Sequence, residues 1–299
     1  MEATYETRDP RFRALIQPSA ALERLATGFR WAEGRAWFPL LGTLVFSDIP
    51  SDRLLAWSEG AGARSLREPA GFANGNARDR EGRLVSCHHG SRSVVRTGHD
   101  GRRETLAESY RGRRLNSPND LVVACDGAVW FTDPTYGILS DYEGHEATPE
   151  QDATAVYRIP PEGGEPERML AGLVQPNGLA FSPDESVLYV AESGSSHDPA
   201  VPSVIRAWDM EGGRPVRGRD FATVSPGPPD GLRVDGKGHV WTSAADGVQV
   251  FHPDGTLLGR IRVPETVANL CFGGLRGNRL FITATTSVYA VFVNARASD

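Results

Sequence analysis

The stretch NDLVVACDGAVWFTD, residues 119–133, contains the pattern that decides the fold. A short apolar run follows the side-chain amide of Asn119, the pair Asp126 and Gly127 marks a tight turn, and the run AVWFTD is rich in β-branched and aromatic residues. Two such runs on either side of an Asp-Gly turn are typical of a β-hairpin. The stretch therefore predicts two antiparallel strands, the first of which begins at a side chain with an oxygen donor.

This unit occurs six times along the chain. Runs of similar composition, each after a turn signal, include TLVFSD at 43–48, VLYVAE at 187–192, HVWTSA at 239–244 and RLFITA at 279–284. In every repeat, a side chain with an oxygen donor stands 10 or 11 residues before one of the first apolar residues of the hairpin's second strand. These donors are Glu33, Asn74, Asn119, Asn177, Asp230 and Asn269.

The spacing of the repeats predicts the architecture. Successive donors lie 39 to 58 residues apart, which brackets the ~40–50 residues of a four-stranded propeller blade. Six repeats therefore predict an all-β fold, a six-bladed β-propeller with four-stranded antiparallel blades. The polar stretches 137–153 and 193–202 lengthen two of the intervals, and we expect them to be loops that control access to the channel mouth.

The two ends of the chain are expected to close the ring. The segment ALERLATGF at 21–29 reads as an extra strand, and the last repeat ends in another strand-like run. Pairing of these terminal strands would leave no sheet edge exposed. Residues 1–20 are then an N-terminal extension, and residues 21–299 form a single propeller domain.

Composition argues against several classes of function. With 32 Lys and Arg against 38 Asp and Glu, the net charge is −6, and the basic residues are too dispersed to bind a nucleic acid backbone. The N-terminus lacks an apolar core segment, so neither a secretory signal nor a membrane span is predicted. The three cysteines, Cys87, Cys125 and Cys271, have no CxxC spacing and cannot all pair with one another. We therefore expect a cytoplasmic monomer or weak homodimer that contacts neither nucleic acid nor membrane.

The donors suggest a metal site. Each donor opens the innermost strand of its blade, so the six side chains should ring the top of the central channel. Glu33 and Asp230 are carboxylates, and Asn119 and Asn177 are the foremost of the amides. Such oxygen donors favour Ca²⁺, or Mg²⁺ and Mn²⁺, over a sulfur-seeking metal, and Zn²⁺ and Fe²⁺ remain open. The ring thus predicts one divalent ion, with Ca²⁺ the first choice; an ion that only holds the blades together is the alternative.

The loops between the second and third strands of the blades should rise around the same mouth. They contain His88 and His89, Tyr136, His197 and Asp246. His89 is our first candidate for contact with substrate hydroxyl groups, and His197 is another. Tyr136 offers an aromatic face and a hydroxyl. Because no GxSxG or GxGxxG motif occurs, neither covalent catalysis by serine nor a nucleotide site is predicted.

Six motifs resemble the senescence marker protein/gluconolactonase/luciferin-regenerating enzyme family. They are EGRAW at 33–37, NSPNDLVV at 116–123, WFTDPTYG at 130–137, PNGLAFSPDE at 176–185, PDGLRVD at 229–235 and LFITATTSVYAV at 280–291. The similarity covers nearly the whole chain and is closest to the bacterial gluconolactonases. It implies a six-bladed propeller and a hydrolase that opens sugar lactones with one divalent ion. The positions that match the family's metal ligands are Glu33, Asn119, Asn177 and Asp230.

The resemblance also bears on the substrate site. It implies substrate contact by Asn74, whereas Phe72 stands where the animal members carry a substrate-binding arginine. The sugar contacts of the animal members are therefore not transferred to this chain. The predicted substrate-binding residues are Asn74, His89, Tyr136, His197 and Asn269.

The expected activity is that of a divalent-metal-dependent sugar lactonase, a gluconolactonase that hydrolyses an aldonolactone such as D-glucono-1,5-lactone to the aldonic acid. The ion would polarise the lactone carbonyl, and Asp230 is the predicted catalytic residue, as the general base for the attacking water. Hydroxide bound to the metal is the alternative to that base. Two other functions remain open: an organophosphate hydrolase of the diisopropyl fluorophosphatase type, and a non-catalytic propeller with a structural calcium ion.

Overall fold

Alternating turns and strand-forming runs give the protein an almost entirely β-structure. The computed structural model describes residues 4–297, which form 27 strands and five short 3₁₀ helices. Two strands precede the first blade, β1 (Tyr5–Thr7) and β2 (Glu23–Thr27). The 3₁₀ helices are Pro10–Ala14, Pro39–Leu41, Ile49–Ser51, Tyr136–Ile138 and Gly194–Ser196. No helix within residues 4–297 is long and apolar enough to span a membrane.

The first three blades are antiparallel sheets whose strands follow one another in chain order. Blade one contains β3 (Ala32–Phe38), β4 (Thr43–Asp48), β5 (Arg53–Ser58) and β6 (Gly62–Arg67). Blade two contains β7 (Ala73–Arg78), β8 (Leu84–His88), β9 (Ser93–Thr97) and β10 (Arg103–Ala107). A two-stranded ribbon, β11 (Ser109–Tyr110) and β12 (Arg113–Arg114), leads to blade three. Blade three contains β13 (Leu121–Val123), β14 (Val129–Asp133), β15 (Ala155–Ile159) and β16 (Glu167–Ala171).

The last three blades repeat this order, with additions from the N-terminal strands. Blade four contains β17 (Pro176–Phe181), β18 (Val187–Glu192), β19 (Val204–Glu211) and β20 (Arg214–Thr223). Blade five contains β21 (Leu232–Val234), β22 (Val240–Ala244), β23 (Gly247–Phe251) and β24 (Leu257–Arg262). Blade six contains β25 (Val267–Gly273), β26 (Arg279–Ala284) and β27 (Ser287–Phe292), and β2 is its fourth strand.

The first strands of the six blades surround a central channel. Each contacts the first strand of the next blade, in the order β3, β7, β13, β17, β21 and β25, and β25 contacts β3 again. This closed circle of contacts is the arrangement that the six sequence repeats predict. The six-bladed propeller with four-stranded antiparallel blades is therefore confirmed.

Strand β2, from the N-terminal part of the chain, closes the ring, as predicted. Strand β2 pairs antiparallel with β27, with Glu23 opposite Ala290 and Thr27 opposite Ser287. The preceding residues also pack on the propeller: β1 adds a fifth strand to blade five beside β24, and Phe12 is fully buried in the core of blades five and six. Strands β1 and β2 and the side chain of Phe12 therefore attach the N-terminal segment to blades five and six.

Aromatic pairs join neighbouring blades outside the channel. Trp130 of blade three meets Phe181 of blade four edge to face, with ring centroids 5.4 Å apart. Trp241 of blade five meets Phe272 of blade six in the same way, also at 5.4 Å. Such pairs contribute about 0.5–1.5 kcal/mol beyond the area that they bury. The tryptophans of the strand-forming runs therefore stabilise the interfaces between blades.

The two polar insertions form loops and add no blade. Residues 137–153 connect β14 to β15, and residues 193–202 connect β18 to β19. Both are therefore connections between the second and third strands of a blade, as the sequence predicts. They rise at the end of the channel where the innermost strands begin.

Candidate active site

A pocket of about 130 Å³ lies where the innermost strands begin. Six of the nine residues that the sequence predicts for the site line it: Glu33, Asn74, Asn119, Tyr136, Asn177 and Asp230. The other lining residues are Trp31, Ile49, Glu143, Ser193, Pro228 and Pro229. The structure therefore brings the four predicted metal ligands together in one concave site.

Glycines after the donors let the innermost strands approach each other closely. The Gly75 N–H donates to the Asn119 carbonyl at 2.8 Å, and the Gly178 N–H donates to the Asp230 carbonyl at 2.9 Å. A Cβ atom on Gly75 would lie 2.4 Å from the oxygen of Asn119, and one on Gly178 would lie 2.3 Å from the oxygen of Asp230. A side chain at either glycine would therefore force the blades apart. The Asn-Gly pair at 177–178 lies inside a strand, although taken alone it resembles a turn.

Irregular strand pairing turns the donors toward the channel mouth. The register between the first two strands shifts between Glu33 and Ala36 in blade one and between Ala73 and Asn76 in blade two. A bulge bends its strand and changes the direction of nearby side chains. The donors at the start of these strands are thereby aimed into the pocket.

The two carboxyl groups of the predicted metal set form no salt bridge within residues 4–297, although the charge of Arg35 partly offsets the rise in the pKa of each. Burial, together with the nearby negative charge of Asp120, raises the pKa of Glu33 to about 7. Burial also raises the pKa of Asp230 well above its ordinary value, with a second contribution from the charge of Glu33. Both groups thus favour the protonated form in the metal-free protein, and a divalent ion between them would reverse this.

The two amides of the set are free to bind an ion. The Asn177 side-chain oxygen is buried and accepts no hydrogen bond from residues 4–297. A buried oxygen without a partner costs about 1–3 kcal/mol. The Asn119 side chain, also buried, makes no hydrogen bond to the described part of the chain either. Two carboxylates and two amide oxygens with vacant lone pairs fit a hard divalent cation.

No group of three or more His, Cys, Asp or Glu side chains within residues 4–297 is arranged to hold a metal ion. The predicted set contains only two such residues, Glu33 and Asp230. A metal site at the mouth therefore depends on the amide oxygens of Asn119 and Asn177.

His89 lies behind the pocket wall. Its ring is fully buried, Nδ1 is 2.9 Å from the carbonyl oxygen of Glu143, and Nε2 is 3.3 Å from the side-chain nitrogen of Asn74. Nδ1 must carry the proton to donate to a carbonyl, so Nε2 accepts from the Asn74 amide. Burial lowers the pKa of His89 to about 4, and the ring stays neutral. His89 thus orients Asn74, which does line the pocket.

Tyr136 lines the pocket, whereas His197 does not. The Tyr136 hydroxyl donates to the Ser193 carbonyl at 3.3 Å and lies 3.0 Å from the hydroxyl oxygen of Ser196. Burial raises the pKa of Tyr136, so its hydroxyl stays protonated. His197 is exposed and lies beside Tyr136, with ring centroids 5.2 Å apart and the ring planes tilted by 49°. The two loops thus support each other at the edge of the mouth.

Asn269 lies beneath the mouth, among charged residues of the channel. Its amide nitrogen donates to Glu33 Oε2 at 3.0 Å and to Asp120 Oδ2 at 3.3 Å. It is buried and is not among the residues that line the pocket. Asp120 in turn lies 3.8 Å from a guanidinium nitrogen of Arg35 and 3.8 Å from one of Arg233. Asn269 therefore connects the donor ring to an ion-pair layer below it.

The family of the chain follows from the sequence as well as the fold. Residues 31–286 match the model of the SMP-30/Gluconolactonase/LRE-like region. The chain belongs to this family. The resemblance that the six motifs indicate is thereby confirmed.

Several relatives of this chain are named as lactonases. Gluconolactonase from Zymomonas mobilis is 34% identical over 306 residues, covering 94% of this chain and 84% of the relative. Pentonolactonase XacC from Haloferax volcanii is 30% identical over 267 residues, covering 86% and 82%. The solved structure of a gluconolactonase from Xanthomonas campestris is 41% identical, with a TM-score of 0.91 and coverage of 97% of this chain and 94% of that one.

Several residues that line the pocket are not predicted from the sequence. Trp31 and Ile49 form an apolar wall, and Glu143 adds a third carboxyl group. Trp31 precedes the donor Glu33 by two residues, which is the only signal that could have found it. Glu143 lies in the insertion at 137–153, where no periodic pattern predicts which side chain turns inward.

Two other residues of the loops predicted to surround the mouth, His88 and Asp246, do not line the pocket. His88 is buried, and a Cβ atom on Gly71 would lie 2.9 Å from its Nδ1. Asp246 pairs with Arg260 at 2.9 Å and with Arg262. Both residues therefore support the blades that carry them.

Proposed function

We propose that the protein is a divalent-metal-dependent sugar lactonase that hydrolyses an aldonolactone, such as D-glucono-1,5-lactone, to the aldonic acid. Lactonase names among its relatives support the substrate class. The observation that carries the metal dependence is the Asn177 side-chain oxygen, which is buried without a partner in a pocket that also contains two carboxyl groups. An oxygen-seeking cation would satisfy all three groups together.

The residues that would hold the ion are Glu33, Asn119, Asn177 and Asp230. When bound, a divalent ion would polarise the lactone carbonyl and favour the negative charge that develops on its oxygen. Ca²⁺ matches this oxygen donor set best. Two carboxylates would neutralise its charge, which fits a neutral substrate.

Asp230 is the proposed general base for the attacking water. Its carboxyl group lines the pocket, and its backbone N–H donates to the Ser243 hydroxyl oxygen at 2.8 Å, which fixes the residue at the channel mouth. With a cation present, the carboxylate is ionised and can take the proton that the water loses. A lactone is an activated ester, so moderate basicity is sufficient.

Asn74 and Tyr136 are proposed to orient the sugar. The Asn74 side chain faces the pocket with its nitrogen held by His89, which leaves the amide oxygen to accept a substrate hydroxyl. Tyr136 presents its ring at the opposite loop. These contacts would place the carbonyl carbon over the metal ligands.

Lactone hydrolysis by metal-stripped and metal-restored protein tests the proposal. Purified protein should release acid from an aldonolactone faster than the spontaneous reaction, lose this activity after chelation, and regain it with a divalent ion. Ca²⁺, Mg²⁺, Mn²⁺ and Zn²⁺ should be added in separate samples to identify the effective ion. Failure to hydrolyse any aldonolactone with any of these ions would overturn the proposal.

A further inference from the structure

Glu143 is a third carboxyl group in the pocket, and no motif points to it. It lies in the insertion between β14 and β15 and shares the pocket with Glu33 and Asp230. Its carboxyl group makes no hydrogen bond or ion pair with residues 4–297. Glu143 is half-buried, and a carboxyl group that faces a pocket without bonding to a described neighbour needs another reason to be there.

The loop around Glu143 is built to hold it in place. The His145 N–H donates to the Gly137 carbonyl at 3.1 Å, and the Ala147 N–H donates to the Ile138 carbonyl at 3.1 Å. A Cβ atom on Gly144 would lie 2.1 Å from the Gly137 oxygen, so the loop folds back tightly on itself. The insertion therefore fixes the backbone just after Glu143.

A buried histidine fixes the backbone at Glu143 itself. His89 Nδ1 donates to the Glu143 carbonyl at 2.9 Å, and the same ring contacts the Asn74 amide at 3.3 Å through Nε2. One neutral imidazole thus sets the positions of two pocket residues from different blades. The ring therefore links the backbone of Glu143 to the predicted sugar contact Asn74.

The surroundings of Glu143 favour its protonated form. Burial raises the pKa of Glu143 to about 7. The titratable side chains that face the same pocket are Glu33, Tyr136 and Asp230, none of which carries a positive charge. The neutral ring of His89 contacts only the backbone of Glu143. Glu143 differs from Glu33 and Asp230 in its place on the loop, outside the predicted ligand set, and not in the direction of its pKa shift.

We propose that Glu143 is the general acid that protonates the ring oxygen of the lactone as the ring opens. The proposal rests on the lactonase function proposed above. Attack of water forms a new C–O bond at the carbonyl carbon, and Asp230 takes the proton that the water loses. The bond from that carbon to the ring oxygen then breaks, Glu143 gives its proton to the ring oxygen, and the new hydroxyl leaves with the aldonic acid. Solvent returns a proton to Glu143 and removes the one on Asp230.

Two carboxyl groups would then share the proton transfers, with Glu143 as the acid and Asp230 as the base. The ring oxygen would otherwise leave as an alkoxide, which is a poor leaving group, and a positioned acid accelerates such a step by about 10²–10⁴-fold. Asp230 would be ionised beside the cation, whereas Glu143 lies on a loop outside the predicted ligand set. Two carboxyl groups whose environments separate their pKa values are the usual arrangement for paired acid and base catalysis.

The test compares wild type with Glu143→Gln, which keeps the shape of the side chain but has no acidic proton. With the metal-saturated proteins, kcat on an aldonolactone should fall on the order of 10²-fold and KM should change little. Wild-type kcat should decline as rising pH removes the proton from Glu143, and this decline should be absent in the variant. Glu146→Gln, an exposed change in the same loop, is the matched control and should keep wild-type kinetics.

A thiolactone of the same sugar acid tests whether the lost activity reflects loss of the acidic proton. Its thiolate leaves without a proton, so Glu143→Gln should lose much less activity on the thiolactone than on the lactone. Unchanged kcat, or a raised KM with kcat and the pH profile intact, would overturn the assignment while the lactonase function stands. A wild type that hydrolyses no aldonolactone would overturn the proposed function itself. The melting temperature of each variant, expected to match wild type, shows that the fold is retained.

Discussion

Carboxyl groups occur in two layers of the channel, and the two layers differ in whether these groups form ion pairs with arginine. In the lower layer, Asp120 lies 3.8 Å from a guanidinium nitrogen of Arg35 and 3.8 Å from one of Arg233. In the upper layer, at the mouth, Glu33 and Asp230 have no protein cation of their own, and burial raises the pKa of both. The lower layer therefore pairs opposite charges within the protein, whereas the carboxyl groups of the upper layer form no salt bridge within residues 4–297, and the proposed cation would supply the positive charge.

The largest expected effect comes from disrupting the upper layer. Glu33→Gln and Asp230→Asn should each lower kcat/KM on an aldonolactone on the order of 10³-fold, because each would remove a negative donor to the proposed ion and Asp230 is also the proposed base. Steady-state kinetics at saturating metal measures the loss. Glu162→Gln, an exposed change in the β15–β16 turn, is the control and should keep wild-type activity. Full activity in Asp230→Asn would contradict the assignment of the site.

Disrupting the lower layer should instead cost stability. Asp120→Asn removes the carboxylate that lies 3.8 Å from the guanidinium groups of Arg35 and Arg233, and removal of one partner of a buried ion pair costs about 3–5 kcal/mol. Urea unfolding should show this loss with or without metal. Asp120→Asn as stable as the wild type would show that the arginines do not depend on this carboxylate.

Metal binding should stabilise the upper layer measurably. At an ion concentration 100 times the Kd, the free energy of unfolding should rise by about 2.7 kcal/mol. Urea unfolding of the chelator-treated wild type with and without the ion checks this. Glu33→Gln should gain much less from the same concentration, and an equal gain in both proteins would place the ion elsewhere.

A smaller effect is expected from pH in the metal-free protein. Burial raises the pKa of Glu33 from 4.5 to about 7, so the folded state binds a proton more tightly than the unfolded chain. This contribution to stability is complete below about pH 4.5 and is lost as the pH rises through about 7. We expect a loss of about 1–2 kcal/mol, because water in the pocket partly solvates the group. Urea unfolding across this range should show the loss in the wild type and much less of it in Glu33→Gln.

The fold could be predicted because its signals are local and repeated. Each hairpin places turn residues and β-branched residues at the same distances from an oxygen donor, so the pattern of one blade supports that of the next. Ring closure followed from a spare strand at one end of the chain. The donors of the pocket could be predicted for the same reason, since Glu33, Asn119, Asn177 and Asp230 occupy one position of the repeat.

The rest of the site depends on side-chain directions and on insertions. Asn269 occupies the repeat position of the other donors, yet its amide bonds to Glu33 and Asp120. His89 lies in a mouth loop, as expected, but tertiary packing turns its ring behind Asn74. Glu143 belongs to an insertion with no repeat, so only the folded loop reveals that it lines the pocket. Sequence patterns describe the backbone repeat and not these contacts.

We propose that the upper layer holds one divalent ion that is required for lactone hydrolysis. Titration of the metal-stripped protein, with binding followed by calorimetry and hydrolysis measured on the same samples, tests it most directly. We predict one ion per chain and activity that rises in proportion to occupancy, with both lost in Asn177→Ala. Full hydrolysis by the stripped protein, or binding that Asn177→Ala leaves unchanged, would contradict the claim.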